Sequence, residues 1–462
     1  MRSRCSALVA VALSLLPFSA RSARADDVTI PFTMSKLKSG MTVIFHEDHE
    51  LPVVTVNLAY KVGSRFEGAG RTGFAHLFEH LMFMGTRRAP TKAFDEWMEG
   101  AGGWNNADTS EDHTEFFDVG PPTSLPLLLW LEADRLRDLG PLMTQEKLDA
   151  QREVVRNERR QTSENQPYGK VELELPGLLF PEGHPYHHPV IGSHEDLEAA
   201  TVPDVKAFFA QWYDPSNASL VVAGDFDPKE ASATIEKYFG AIPSHGAPAD
   251  PWDATHASEG TTLRTVVRQT LTDKVELPKV VMAWQSPKHF APGDAELDLV
   301  ASVLAAGKAS RLYKSLVYEK KLAQSVEAEQ SSGDIGSRFV IGAIARPGVA
   351  LDKLEAAIDA EIVAIDSKPV TDEELLRAKN GLSTGFVARL QSVKARASLL
   401  NAYELDVGDP GFAQKDLDRY NRATREGLLA VAAKVLDLKA RVVLRVVPES
   451  PKGPDSQKGG HS

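Results

Sequence analysis

The order of strands and helices expected in the first half of this 462-residue chain recurs in the second, and that repeat limits the fold more than any single motif. Residues 42–45 and 53–60 are rich in β-branched side chains and read as strands; 76–85 reads as a helix. A helix at 92–99, a strand at 114–119, long helices at 125–139 and 145–163, a helix at 202–212, a buried strand at 218–223 and a helix at 229–239 complete the first half. The second half offers a strand at 280–284, a helix at 295–317 broken or bent near Gly307, strands at 325–330 and 339–345, helices at 351–365, 372–390 and 424–436, and a last strand at 440–447. Between the halves, 243–260 carries three prolines and little periodicity, as a linker does. The expected architecture is α+β: two homologous domains of about 200 residues, 26–242 and 261–450, each a mainly antiparallel sheet packed with helices. The tail 451–462 is rich in Gly, Lys and Ser and is expected to be disordered.

The first 25 residues are of another kind. Arg2 and Arg4 precede an apolar run from Ala7 to Phe18, and Ala23-Arg24-Ala25 reads as a cleavage site. This is the pattern of a secretory signal peptide, so a periplasmic or secreted location is expected. The run is short for a membrane span, and no later stretch approaches one. The only cysteine, Cys5, lies inside it, so the mature chain depends on its cores and not on disulfides. Its removal takes four arginines and moves the net charge from −12 to −16. An acidic chain of that kind is a poor partner for nucleic acid or an anionic membrane.

Within the 76–85 helix stands His76-Leu77-Phe78-Glu79-His80. The i, i+4 spacing puts both imidazoles on one helical face, with Glu79 on the same side. Two neutral nitrogen ligands with an adjacent carboxylate suit a catalytic metal, where the ion acidifies water and the carboxylate takes its proton. With 13 histidines, this five-residue pattern arises by chance on the order of 0.03 times per such chain. A third ligand must come from elsewhere. The helix at 145–163 offers Glu146, Glu153, Glu158 and Glu164, and spacing within it does not choose among them.

The order H-L-F-E-H-L-M-F-M-G-T, then G-G-W-N-N-A-D-T, then Q-R-E-V-V-R-N-E resembles the pitrilysin/insulinase metallopeptidases, whose inverted zinc motif is H-x-x-E-H. The likeness includes 217–225 and 307–313 and is strongest to the short-chain branch with mitochondrial processing peptidase subunits. It implies one zinc per chain held by His76, His80 and Glu158, with Glu79 as general base. The family's second glutamate falls at Gln151, seven residues before Glu158, where an amide brings no charge. The resemblance further implies peptide substrates that pair with an exposed sheet edge at Asn106 and Ala107, with Phe83 among the substrate-facing residues. Without it, Asn105-Asn106 reads as a plain hairpin turn.

Relatives complete the site with an arginine and a tyrosine seven residues apart; Val317 and Gln324 occupy those places here. A second family subunit is therefore expected to supply that pair, in a heterodimer sooner than a homodimer. The implied activity is zinc-dependent hydrolysis of short unfolded peptides in an enclosed chamber. The alternatives are a non-catalytic structural or peptide-binding subunit, and a protease dedicated to a leader or precursor peptide. His184, His187 and His188 cluster in a proline-bounded loop and are read as ordinary polar residues, as are His113, His245, His256 and His289.

Overall fold

The computed structural model describes residues 28–252 and 262–449. The expected signal segment, residues 253–260 of the expected linker and the tail lie outside them; the linker's described part, 243–252, carries no helix or strand. Eleven strands form two sheets among the described residues: β1 (Thr33–Lys36), β2 (Thr42–Glu47), β3 (Val54–Tyr60), β4 (Trp104–Thr109), β5 (Thr114–Gly120) and β6 (Ala218–Gly224), then β7 (Val267–Asp273), β8 (Lys279–Ser286), β9 (Ala323–Ser331), β10 (Ser337–Ala345) and β11 (Val442–Pro448). The first sheet runs β1-β2-β6-β3-β5-β4 and the second β7-β11-β8-β10-β9. Each has one parallel pair, β2 with β6 and β7 with β11, and is otherwise antiparallel. The strand order β2-β6-β3-β5-β4 recurs as β7-β11-β8-β10-β9, as two homologous α+β halves would give.

In the first half the helices are α1 (Phe74–Leu81), α2 (Ala93–Gly100), α3 (Leu125–Asp138), α4 (Gln145–Arg159), α5 (Lys170–Leu179), α6 (His194–Ala199), α7 (Val202–Trp212) and α8 (Pro228–Phe239). The second half has α9 (Asp294–Ala305), α10 (Leu351–Ser367), α11 (Asp372–Arg389), α12 (Val393–Val407), α13 (Ala413–Arg422) and α14 (Arg425–Val435). Of the break or bend expected near Gly307, the structure shows the break. α9 stops at Ala305, Gly307 takes φ +73°, where a side chain would be strained, and a separate helical turn follows at Tyr313–Glu319.

Every residue of β3 and β6 is buried, because each sheet is covered on both faces. One face of the first sheet packs on helices of its own half, among them α1, α3, α4, α7 and α8. The other receives α12 from the second half, with Val393, Ala397 and Leu400 set against Ile44, Val221 and Ala223. The second sheet is treated alike: α5 of the first half lays Val171, Leu175 and Leu179 against Val281, Ala283, Val442 and Leu444. The halves are thus interlocked by one helix each.

That interlock includes a buried polar bond. Asn401 on α12, 1% exposed, donates from Nδ2 to the Asn57 carbonyl (3.0 Å) and to Asn57 Oδ1 (2.6 Å) on β3. Asn401→Ala strands buried acceptors and is expected to cost about 1–3 kcal/mol, read as a lower denaturation midpoint in urea.

Candidate functional site

α1 is short and mostly apolar, and Phe74, Ala75, Leu77, Phe78 and Leu81 are buried in the first core. Phe78 stacks on Phe209 and lies 4.4 Å from the Tyr213 ring. The helix begins at Gly73, φ +88°, where a Cβ would stand 2.8 Å from the Ile191 carbonyl oxygen. Its first amides are met by a residue from outside the helix: Glu67 accepts from Gly73 N (2.8 Å) and Ala75 N (2.7 Å). Sequence reasoning passed over Glu67, because the glycine-rich stretch 68–73 separates it from the helix it caps. The result is a helix held at its start and along its apolar side, with its polar face fixed in direction.

On that face the His76 and His80 rings stand perpendicular, centroids 4.8 Å apart. Both Nε2 atoms turn to one carboxylate from α4: His80 Nε2 is 3.1 Å from Glu158 Oε2, and His76 Nε2 is 3.7 Å from Glu158 Oε1. The four glutamates that spacing could not separate are now distinct. Glu153 pairs with Arg156, Glu164 pairs with Arg159 and His194, Glu146 is exposed, and Glu158 faces the imidazoles. α4 gives way to a π-helical turn at Arg160–Glu164 directly after it. Gln151 donates to Met84 Sδ (2.8 Å) and also hydrogen-bonds His80.

The protonation of the group follows from burial and pairing. Burial, aided by the neighbouring His80, holds the His76 imidazole down at about 4, so it is neutral near pH 7. Burial is the largest influence on His80 and disfavours its charge, but the hydrogen bond and charge of Glu158, with Glu79 and Gln151, together outweigh it and raise the imidazole above its ordinary value. The same bond holds Glu158 below the usual carboxylate range. Burial pushes Glu79 above its ordinary value, partly opposed by Thr109, whose Oγ1 donates to Glu79 Oε2 at 2.6 Å. Thr109 is the last residue of β4, the edge strand of the first sheet.

This donor set fits zinc. Two ligands about 2.0–2.1 Å from a tetrahedral zinc lie about 3.3–3.4 Å from each other, and the two imidazole-to-carboxylate separations, 3.1 and 3.7 Å, bracket that value. Ligand atoms of His76, Glu79 and His80 also lie within 4.8 Å of one another.

The other expected site residues are placed as follows. Asn105-Asn106 is strand, not turn; the turn falls at Ser110–His113, closed by Ser110 N to the His113 carbonyl (2.8 Å). Asn106 is exposed and Ala107 half-buried on β4. The half-buried Phe83 ring is edge-on to Phe94 (5.5 Å). Val317 is buried in the second core and Gln324 is exposed at the start of β9. The loop histidines are separately engaged, His184 accepting from Tyr186 N and His187 Nδ1 lying 2.7 Å from the Phe180 carbonyl. In the second half, α9 takes the place of α1 and carries no histidine.

Residues 42–176 match the family described as insulinase (peptidase family M16), and 199–382 match the M16 inactive domain. A Helicobacter pylori protein named zinc protease PqqE is 28% identical, covering 89% of this chain and 88% of that one. A Mycobacterium leprae protein named as an uncharacterized zinc protease is 26% identical, with 91% of each chain covered. The crystal structure of a protease from Helicobacter pylori superposes with a TM-score of 0.83 and 25% identity, over 91% of this chain and all of that one. The duplicated sheets, the histidine pair on α1 and these matches agree: the chain belongs to the pitrilysin/insulinase family, peptidase family M16.

Proposed function

We propose that this protein is a zinc-dependent endopeptidase acting on short, unfolded peptides. The observation that carries this is the convergence of His76 and His80 on Glu158, with Glu79 beside them at the end of a free sheet edge. His76, His80 and Glu158 would hold the ion, whose Lewis acidity acts on a carbonyl and on water. Glu79 takes the proton from the attacking water and returns it to the leaving amine nitrogen. Burial lifts its carboxyl toward the working pH, where a base is most effective, and Thr109 fixes one of its oxygens. The outer edge of β4, unpaired among the described residues, with Asn106 and Ala107, pairs with the main chain of an extended substrate, so selectivity follows backbone shape more than side chains. A peptide offered unfolded is therefore cut, and the same sequence within a stable folded domain is not; equal cleavage of both contradicts the proposal.

Export to the periplasm is part of this reading and rests on the first 25 residues. Among the described residues no helix is long and apolar enough to cross a membrane. A second subunit of the same family completes the site with the arginine and tyrosine that Val317 and Gln324 do not provide. Native mass of protein isolated from its own cell is expected to show a heteromeric assembly; a fully active monomer overturns this. Those two positions also favour a second reading, a peptide-binding subunit without catalysis. Zinc that is lost on His76→Ala with His80→Ala separates the two, since only the catalytic reading requires an ion on α1.

A further inference from the structure

Three histidine and aspartate side chains that are far apart in sequence meet where the halves of the chain join. His113 closes the turn between β4 and β5, its N–H donating to Ser110 Oγ (2.9 Å). Asp334 lies in the turn between β9 and β10, and Asp406 in the last turn of α12. Ligand atoms of all three lie within 4.8 Å of one another. His289, from the loop after β8, adds Nδ1 at 3.7 Å from Asp406 Oδ2.

His113 Nε2 and Asp406 Oδ1 stand 3.2 Å apart, yet both atoms are buried and neither makes a hydrogen bond. The Asp406 side chain is only 8% exposed. A misaligned pair at this separation is what two ligands of one ion look like, and the spacing matches that of His80 and Glu158. Charge points the same way. Arg65 is shared among Asp112 (2.8 Å), Asp250 (2.9 Å) and Asp334 (3.6 Å), while the ion-pair partners of Asp406 among the described residues are imidazoles. Asp406 also sits at a helix C-terminus, where the dipole disfavours an anion.

The loops that carry these groups are themselves tied. Asp112 accepts from Tyr186 Oη (2.7 Å) and from Asp334 N (3.1 Å), and His289 N donates to the Gly333 carbonyl (2.9 Å). A cavity of about 470 Å³ reaches His289 and Asp406 and gives an ion a way in. Imidazole beside carboxylate suits zinc and its first-row neighbours, whereas magnesium and calcium take all-oxygen shells.

We propose that His113, Asp334 and Asp406, with His289 alongside, form a second site for a divalent transition-metal ion that clamps the β4–β5 turn of the first half to the second half. The site is separate from the one on α1 and stands whether or not that one is catalytic.

The test uses the full chain with His76→Ala and His80→Ala, which removes the α1 pair. After equilibration with Zn²⁺ and gel filtration, native mass spectrometry is expected to count one zinc, and Zn²⁺ to raise Tm by about 3 °C or more. Adding His113→Gln, or His289→Gln with Asp406→Asn, removes both effects, and Mg²⁺ produces neither. No retained zinc in the His76→Ala, His80→Ala protein overturns the proposal, as does a zinc that persists in folded His113→Gln and Asp406→Asn variants.

Discussion

Glu79→Gln is expected to leave zinc bound and to lower peptide hydrolysis by a factor on the order of 10²–10⁴, the range for loss of a general base. The amide keeps the size of the carboxylate and can still hydrogen-bond Thr109, so α1 and the imidazoles stay where they are. What it cannot do is accept a proton. The loss is therefore expected to fall on kcat with little change in KM, since in the proposed mechanism Glu79 would act on the proton and β4 would carry the substrate. Zinc content measured beside steady-state cleavage checks both halves of this expectation. A variant with full zinc and near-normal kcat removes Glu79 from the base role.

His76→Ala is expected to act one step earlier, on the metal itself. His76 is the more enclosed of the two imidazoles, 12% exposed against 21% for His80, and is neutral near pH 7. Without it only His80 and Glu158 remain, one protein ligand fewer than a catalytic zinc site ordinarily has. Loss of a partner outside the ligand shell already costs about 10–100-fold in metal affinity, so removal of a direct ligand is expected to exceed 100-fold. Competition against a chromophoric chelator measures this. The apolar face of α1 is untouched, and thermal unfolding without metal is expected to stay close to that of the parent protein.

The sequence conveyed the two halves and the long helices because their apolar positions recur over many turns, as in α3 and α10, or run unbroken, as in β6. It did not convey α5 and α12. Each offers a stripe of three residues, Val171-Leu175-Leu179 and Val393-Ala397-Leu400, and α5 also contains Pro176. Their helical state is secured by a sheet of the opposite half, which no local window contains. The candidate site divides in the same way. His76, Glu79 and His80 are legible because one helix holds all three. Spacing left Glu158 open among four glutamates and only the family resemblance singled it out, whereas the packing of α4 against α1 shows it facing the imidazoles; Glu67 and Thr109 needed the fold around them. His113, Asp334 and Asp406 lie on three separate segments, so nothing in the linear order relates them.

The central claim is that His76, His80, Glu79 and Glu158 form a working zinc peptidase site. The most direct measurement is digestion of a mixed peptide library, followed by mass spectrometry, by protein isolated with whatever subunit accompanies it. The expected result is internal cleavage that stops with a chelator, returns on adding Zn²⁺, and is absent from a parallel Glu79→Gln assembly. Cleavage that persists in the chelated protein, or that is undiminished in the Glu79→Gln assembly, contradicts the account.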